Sequence, residues 1–335
     1  MQLNKQELIK LVKGASLLTT GGGLSLKEQL VSLEKHHNIS IALRSLEAFD
    51  PDAILVTASE VGLADAKEME KKDILPRMLQ TWEKMTGQKI SGVYAAEIGQ
   101  ESILIDTAIG LNVPLADFDV AGGRAVPFVD INSIHAAGIP YSMAPLVAAT
   151  DKRDIVALDS RMSPDDIEIF LRSLSRLSKS GIAFFIGGAI RASDISGRGV
   201  ENRSLSLAVQ LGACSTMDEI IGRLQPDTML SGHVVGYETV QKSGFNCYHA
   251  KFKDIKGAVY TIFILNELLI LTDEDGRNLA EPPDKILVID VSTLSGVATK
   301  DFLSGKEVSL LCVPAEPIWK REKGLELFGR ARFID

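Results

Sequence analysis

From Leu3 to Leu18 the apolar residues Leu3, Leu8, Leu11, Ala15 and Leu18, with Ile9 and Val12 beside them, recur at the spacing of an amphipathic helix. That helix should stop at Gly21-Gly22-Gly23, because successive glycines lose much backbone entropy on ordering and open positive φ. Beyond the polar His36-His37-Asn38, the run IAL and then AILVTA at 53–58 predict short strands, the second buried on both faces. The stretch from Lys67 to Met85 is helical in period and interrupted by Pro76. SGVYAAEIG reads as a strand entering a glycine turn, ESILIDTAIGLN as a helix closed by Gly110 and Asn112, and VPLADFDVAGG as the next strand with its turn.

Strand, turn, helix and strand at this spacing predict βαβ units and a largely parallel sheet. In such sheets ligands gather outside the carboxyl ends of the strands, which directs attention to the loops after Ala95 and Ala116. Further on, SPDDIEIFLRSLSRLSKSG predicts a capped helix ending at Gly181, IAFFIGGAI a buried strand, and Arg198 to Gly212 another helix. From about Thr228 the texture changes to strands and turns such as DEDGRN. We therefore expect an α/β domain over residues 1–226 and a β-rich domain over 227–335. The chain length of 335 residues is consistent with two cores.

Composition narrows the function. Hydrophobic residues are 45% and charged residues 24%, the balance of a chain able to bury a sizeable interior. The net charge of −8, without any cluster of basic residues, argues against nucleic acid as a partner. No apolar run is long enough for a membrane helix and the N-terminus lacks a signal-peptide core, so a cytoplasmic location without membrane association is expected. Cys214, Cys247 and Cys312 are far apart and read as free thiols.

Four groups of residues could carry chemistry. The Gly21-Gly22-Gly23 loop either ends a helix or lets backbone N–H groups approach a ligand; it matches neither a Walker nor a dinucleotide pattern. Glu97, at the expected carboxyl end of a strand, suits a general base, or else is a solvated strand end. Asp117 and Asp119 stand at i and i+2 on an extended segment, so both face one side and offer paired oxygens for a divalent metal. Arg124, beyond Gly122-Gly123, could grip an anionic group or neutralise those aspartates. Asn266 and Glu267 interrupt the apolar run YTIFILNELLILT, and must be either a hairpin turn or a buried, paired polar couple. His135, His233 and His249 show no metal-ligand spacing, and His36-His37 reads as a solvated turn.

Taken in order, Gly14-Ala-x-x-Leu-x-x-Gly21-Gly-Gly, Val93-x-x-x-Glu97-Ile-Gly, Asp117-x-Asp119-x-Ala-Gly-Gly-Arg-Ala-Val-Pro127 and Ala137-Gly-Ile-Pro140 resemble the N-terminal domain of the S-methyl-thiohydantoin desulfurase family. Arg203 to Gly212, Gly232-His-Val-Val, Phe263-Ile-Leu-Asn266-Glu267 and Pro317-Ile-Trp-Lys through Gly329 are similar to its C-terminal domain. The resemblance implies an α/β domain joined to a β-rich one. It also implies removal of sulfur from C2 of a thiohydantoin ring with a divalent metal. On that reading Glu97, Asp117 and Asp119 are the catalytic candidates, with the metal at Asp117 and Asp119. Gly21, Gly22, Gly23, Arg124, Asn266 and Glu267 would bind a small cyclic amide or thioamide. The chain departs from the family's pattern at Leu24-Ser25, after the glycines, and at Phe128, where the family has Glu; Asp130 is the nearest carboxylate. A hydantoin-like amidohydrolase, a homo-oligomer, and a non-catalytic subunit of a hydantoinase-like assembly remain alternatives.

Overall fold

The computed structural model describes residues 1–37, 39–62, 69, 73–159, 162–242 and 245–334. Strand β1 (Gln2–Asn4) runs into helix α1 (Lys5–Leu18), whose first turn is capped by the Asn4 side chain accepting from Gln6 N and Glu7 N. Helix α2 (Leu26–Glu34) starts from a reciprocal Ser25–Glu28 capping box and leads to β2 (Ser40–Arg44) and β3 (Ile54–Gly62). Helix α3 (Leu75–Thr86) has Pro76 in its first turn, so the proline starts the helix and does not interrupt it. The part of the expected helix at 67–72 lies, apart from Met69, outside the described residues.

Strand β4 (Ile90–Ala95), helix α4 (Glu101–Leu111) and strand β5 (Leu115–Asp119) make the βαβ unit read from the sequence, with Asn112 closing α4 in the left-handed conformation. Then come α5 (Ser133–Ala136), β6 (Leu146–Ala149), β7 (Ile155–Leu158), α6 (Pro164–Leu177), β8 (Ile182–Arg191) and α7 (Ala192–Ile195). Helix α8 (Ser204–Leu211) is shorter than the expected Arg198–Gly212. Arg203 sits at φ +50 and Asn202 spends its side chain on Asp119, so the residues before Ser204 form a loop. Helix α9 (Met217–Leu224) closes the helix-rich part.

Eight strands form a mixed sheet in the order β1-β2-β5-β4-β3-β8-β6-β7. The expected parallel sheet is its centre, β2-β5-β4-β3; the strands outside that centre are antiparallel additions. The next strands are β9 (Thr228–Lys242), β10 (Phe245–Asp254), β11 (Val259–Leu265), β12 (Glu267–Thr272) and β13 (Asn278–Ala280). They are followed by β14 (Lys285–Asp290), β15 (Ser295–Gly296), α10 (Thr299–Leu303), β16 (Val308–Val313) and α11 (Glu322–Phe328). Strands β9 to β16 form an antiparallel sheet ordered β13-β12-β11-β10-β9-β16-β14-β15.

Helix α1 joins the two sheets. On one side Gly14 meets α8 so closely that a β-carbon would collide with the Ala208 carbonyl. On the other, Gly296 N donates to Ser16 Oγ at 3.1 Å. Leu287, Ile289, Leu311 and Val313 of the second sheet bury in one core with Leu8, Leu11 and Leu17 of α1. Each such side chain contributes roughly 1.5–3 kcal/mol, against about 1 kcal/mol for a typical hydrogen bond. Apolar burial therefore outweighs the polar contacts in joining the halves. Among the described residues no helix is long and apolar enough to cross a membrane.

Candidate active site at the junction of the two sheets

The glycine loop after α1 is stitched to both halves by its own backbone. Leu268 N donates to Thr20 O and Thr299 N to Gly21 O, both at 2.9 Å, while Leu24 N donates to Gly99 O at 2.8 Å. Gly21 and Gly23 hold φ of +95 and +73. A β-carbon on Gly23 would lie 2.8 Å from Gly99 Cα, and one on Gly22 would overlap Glu267 Oε1. The loop thus ends a helix and also brings bare backbone against a buried carboxylate.

Glu97 lies just past β4 and is partly buried. Its Oε2 accepts from Val126 N at 3.0 Å and its Oε1 from Gln100 Nε2 at 2.9 Å. Gln100 is held in turn by Ser59 Oγ and Glu60 N, so the carboxylate is oriented through two layers of hydrogen bonds. Burial pushes the Glu97 acid up to about 7, with the nearby Asp119 charge adding to the rise. Glu101, at the start of α4, is buried as well; its Oε1 accepts from Gly99 N at 2.8 Å and burial pushes it up to about 7.

Asn266 and Glu267 resolve into both readings at once. Asn266 adopts φ +63 and turns β11 into β12, and Glu267 is the first residue of β12, fully buried. Asn266 Nδ2 donates to Glu267 Oε1 at 2.6 Å. Burial, then the charge of Glu97, raise the Glu267 acid well above the usual carboxylate range, while Arg124 pulls it down. Arg124 is itself buried: Nε donates to Ala125 O at 3.1 Å and Nη1 to Pro283 O and Asp284 O at 3.2 and 2.9 Å. Its guanidinium lies 4.6 Å from the centre of the Phe328 ring. Burial lowers its affinity for the proton, and the charges of Glu267 and Glu316 oppose that.

Asp117 meets the start of α8, and Asp119 meets its own following turn and the loop before α8. Asp117 Oδ1 accepts from Ser206 N at 2.8 Å. Asp119 Oδ1 accepts from Ala121 N at 2.9 Å, and Oδ2 from Gly123 N at 2.8 Å and Asn202 Nδ2 at 2.9 Å. Burial pushes the Asp119 acid up to about 6. This donor set does not fit a divalent ion: the oxygens of Asp119 are taken by amides, and Asp117 is drawn to a helix N-terminus. Among the described residues no group of three or more His, Cys, Asp or Glu is placed to hold a metal. Both aspartates thus have structural partners, Asp119 in the N–H groups of the Ala121–Gly123 turn and Asp117 in Ser206 N of α8. The Arg124 side chain is not the partner of these aspartates either; its hydrogen bonds run to Ala125, Pro283 and Asp284.

The sequence reading missed Gln100, Glu101, Lys285 and Glu316. Buried Lys285 pairs with Glu316 at 2.8 Å, and both approach the Gly122–Gly123 turn. Glu316 stands just before the Pro317-Ile-Trp segment and was findable; Lys285 opens an apolar strand with nothing to mark it. Phe128 stacks on Phe333 at 6.4 Å under Arg332, whose Nη2 pairs with Asp130 at 2.7 Å. His36 is not simply solvated: its Nε2 lies 2.6 Å from Asp106 Oδ1. The cysteines are free thiols. A surface cleft of about 420 Å³ lined by Ile54, Met85, Gln88, Asp159 and Arg191 involves none of the candidate residues.

Two family models match almost end to end: the S-Me-THD-like N-terminal domain over residues 6–160 and the S-Me-THD-like C-terminal domain over 163–334. The chain belongs to the S-methyl-thiohydantoin desulfurase-like family. A crystal structure of a protein from Chromobacterium violaceum, a structural-genomics target, superposes with a TM-score of 0.76 over 97% of this chain and 95% of that one, at 18% identity. At that identity the likeness speaks for the fold. A comparison with curated proteins finds no match.

Proposed function

We propose that this S-Me-THD-like protein removes sulfur from C2 of a thiohydantoin-type ring by hydrolysis driven by its own carboxylates. The observation that carries the reading is Glu97: a recessed carboxylate, fixed by Val126 N and Gln100 Nε2, with a pKa of about 7. Such a group is matched to taking and returning a proton at neutral pH. Family membership supports a thiohydantoin-related substrate.

The ring would lie against the Gly21–Gly23 backbone, with Arg124 supplying fixed positive charge. Glu97 takes a proton from water as the water oxygen bonds to C2, and the electron pair of the C2 double bond moves onto the sulfur of a thioxo ring or onto the ring nitrogen of its S-methyl derivative. The C2–S bond then breaks and the sulfur leaves with the proton Glu97 had accepted, while the new hydroxyl forms the C=O bond and gives its own proton to the departing sulfide or, in the S-methyl compound, to the ring nitrogen. A carbonyl remains at C2, with hydrogen sulfide as the second product, or methanethiol where the sulfur carries a methyl group.

Incubating the purified protein with 2-thiohydantoin and its S-methyl derivative tests this. Release of sulfide or methanethiol with matching appearance of hydantoin is expected. A ring-opened product that retains sulfur would move the assignment to an amidohydrolase.

A further inference from the structure

Two buried polar atoms of the site residues have no hydrogen-bond partner among the described residues: Nη2 of Arg124 and Oε2 of Glu267. Both residues are 1% exposed. Arg124 cannot swing its free nitrogen elsewhere, because Nε and Nη1 hold three backbone carbonyls and Phe328 lies against the guanidinium face. Glu267 is fixed in the same way, with Asn266 Nδ2 on Oε1 and the Gly22 backbone against that oxygen.

The state of Glu267 follows from its neighbours. An ionised carboxylate this deep, beside a guanidinium with a free N–H, would close into a charge-assisted pair. Instead the two feel each other's charge while each keeps an unpartnered atom. The charge of Glu97 disfavours a second negative charge on Glu267, while the charges of Glu316 and Asp284 compete for that of Arg124. Burial favours the neutral acid. Since Oε1 already accepts an N–H, the proton belongs on Oε2, which makes both orphaned atoms donors.

We infer that Arg124 Nη2 and Glu267 Oε2 form a two-donor pocket for the acceptor atom, on C2 or next to it in the ring, that gains the electron pair when water adds to C2, with Glu267 acting as a neutral carboxylic acid. This rests on the ring-hydrolysis reading and goes beyond it by giving Glu267 a catalytic role and a protonation state. Two donors aimed in advance at developing charge, in surroundings closed to water, stabilise a transition state without reorganising. The ligand class is a ring with a C=S, C=N or C=O acceptor at the reacting carbon.

Difference infrared spectroscopy of the full chain, wild type against Glu267→Gln, tests the protonation state without substrate. A carboxylic-acid C=O band assigned to Glu267 is expected at pH 7 and should fade as the solution is made alkaline. Kinetics test the donor: Glu267→Gln keeps an N–H donor and should stay within about tenfold of wild type, whereas Glu267→Leu should lose on the order of 10²–10³ in kcat. No acid band at pH 7, or equal losses in both variants, would overturn the proposal. A band present in a protein that releases no sulfur would uphold the neutral acid and reject the ring-hydrolysis reading.

Discussion

Gly22 and Glu267 are separated by 245 residues in the chain, yet a β-carbon on the glycine would overlap the carboxyl oxygen of the glutamate. Gly22 does not carry the positive φ of its neighbours, so its backbone would accept an L side chain; the nearest obstacle is the Glu267 carboxyl, with the Ala125 β-carbon next at 3.0 Å. Gly22→Ala should therefore fold but displace that carboxyl. We expect kcat/KM to fall at least about tenfold, with a smaller loss of stability than in Gly21→Ala, where φ is +95. Comparing activity and thermal midpoint in the two variants checks this.

Glu97→Gln keeps a carbonyl for Val126 N and removes the base. A loss of about 10²–10⁴ in kcat/KM is expected, the range for a positioned proton-transfer group. A variant with wild-type turnover would remove Glu97 from the chemistry.

The pH–rate profile should be bell-shaped. Glu97 gains its base form as pH rises through about 7, and activity falls again at higher pH as Glu267 loses its proton. In Glu267→Gln the alkaline fall should disappear, which steady-state kinetics across the range would reveal.

Stability should drop as pH rises. Glu97, Glu101, Glu267 and Asp119 all have folded pKa values above their ordinary ones, so the folded state holds more protons than the unfolded chain between roughly pH 4 and 8. Their contribution is full below the ordinary carboxylate range and is lost as pH rises through the folded values. Thermal unfolding from pH 5 to pH 8 should show a falling midpoint, and Glu101→Gln should flatten the slope.

Asp119→Asn should cost about 1–3 kcal/mol, because the amide N–H₂ cannot accept from Gly123 N and Asn202 Nδ2. Asp117→Asn retains an acceptor for Ser206 N and should cost no more than about 1 kcal/mol. Denaturant unfolding measures both. Activity per folded molecule should fall less than in Glu97→Gln. Exhaustive chelation should leave turnover unchanged, since the groups in the mechanism are the protein's own.

The sequence by itself determined the elements whose causes are local. Periodicity and caps marked α1, α4 and α6, and the change of texture near Thr228 marked the start of the second sheet. It also marked Glu97, Arg124 and Glu267 as chemically unusual, because a charged residue bordering a glycine turn or an apolar run has to be compensated somewhere. What compensates it was decided only by tertiary structure. Spacing showed Asp117 and Asp119 on one face but not the Ser206 N–H and the Asn202 side-chain amide that reach them. Nor could spacing show that Gly22 and Glu267 touch, that Arg124 is pinned by the carbonyls of Pro283 and Asp284, or that Lys285 is buried beside Glu316. Such contacts join segments far apart in the chain, and they depend on the summed burial of many side chains, which no local pattern encodes.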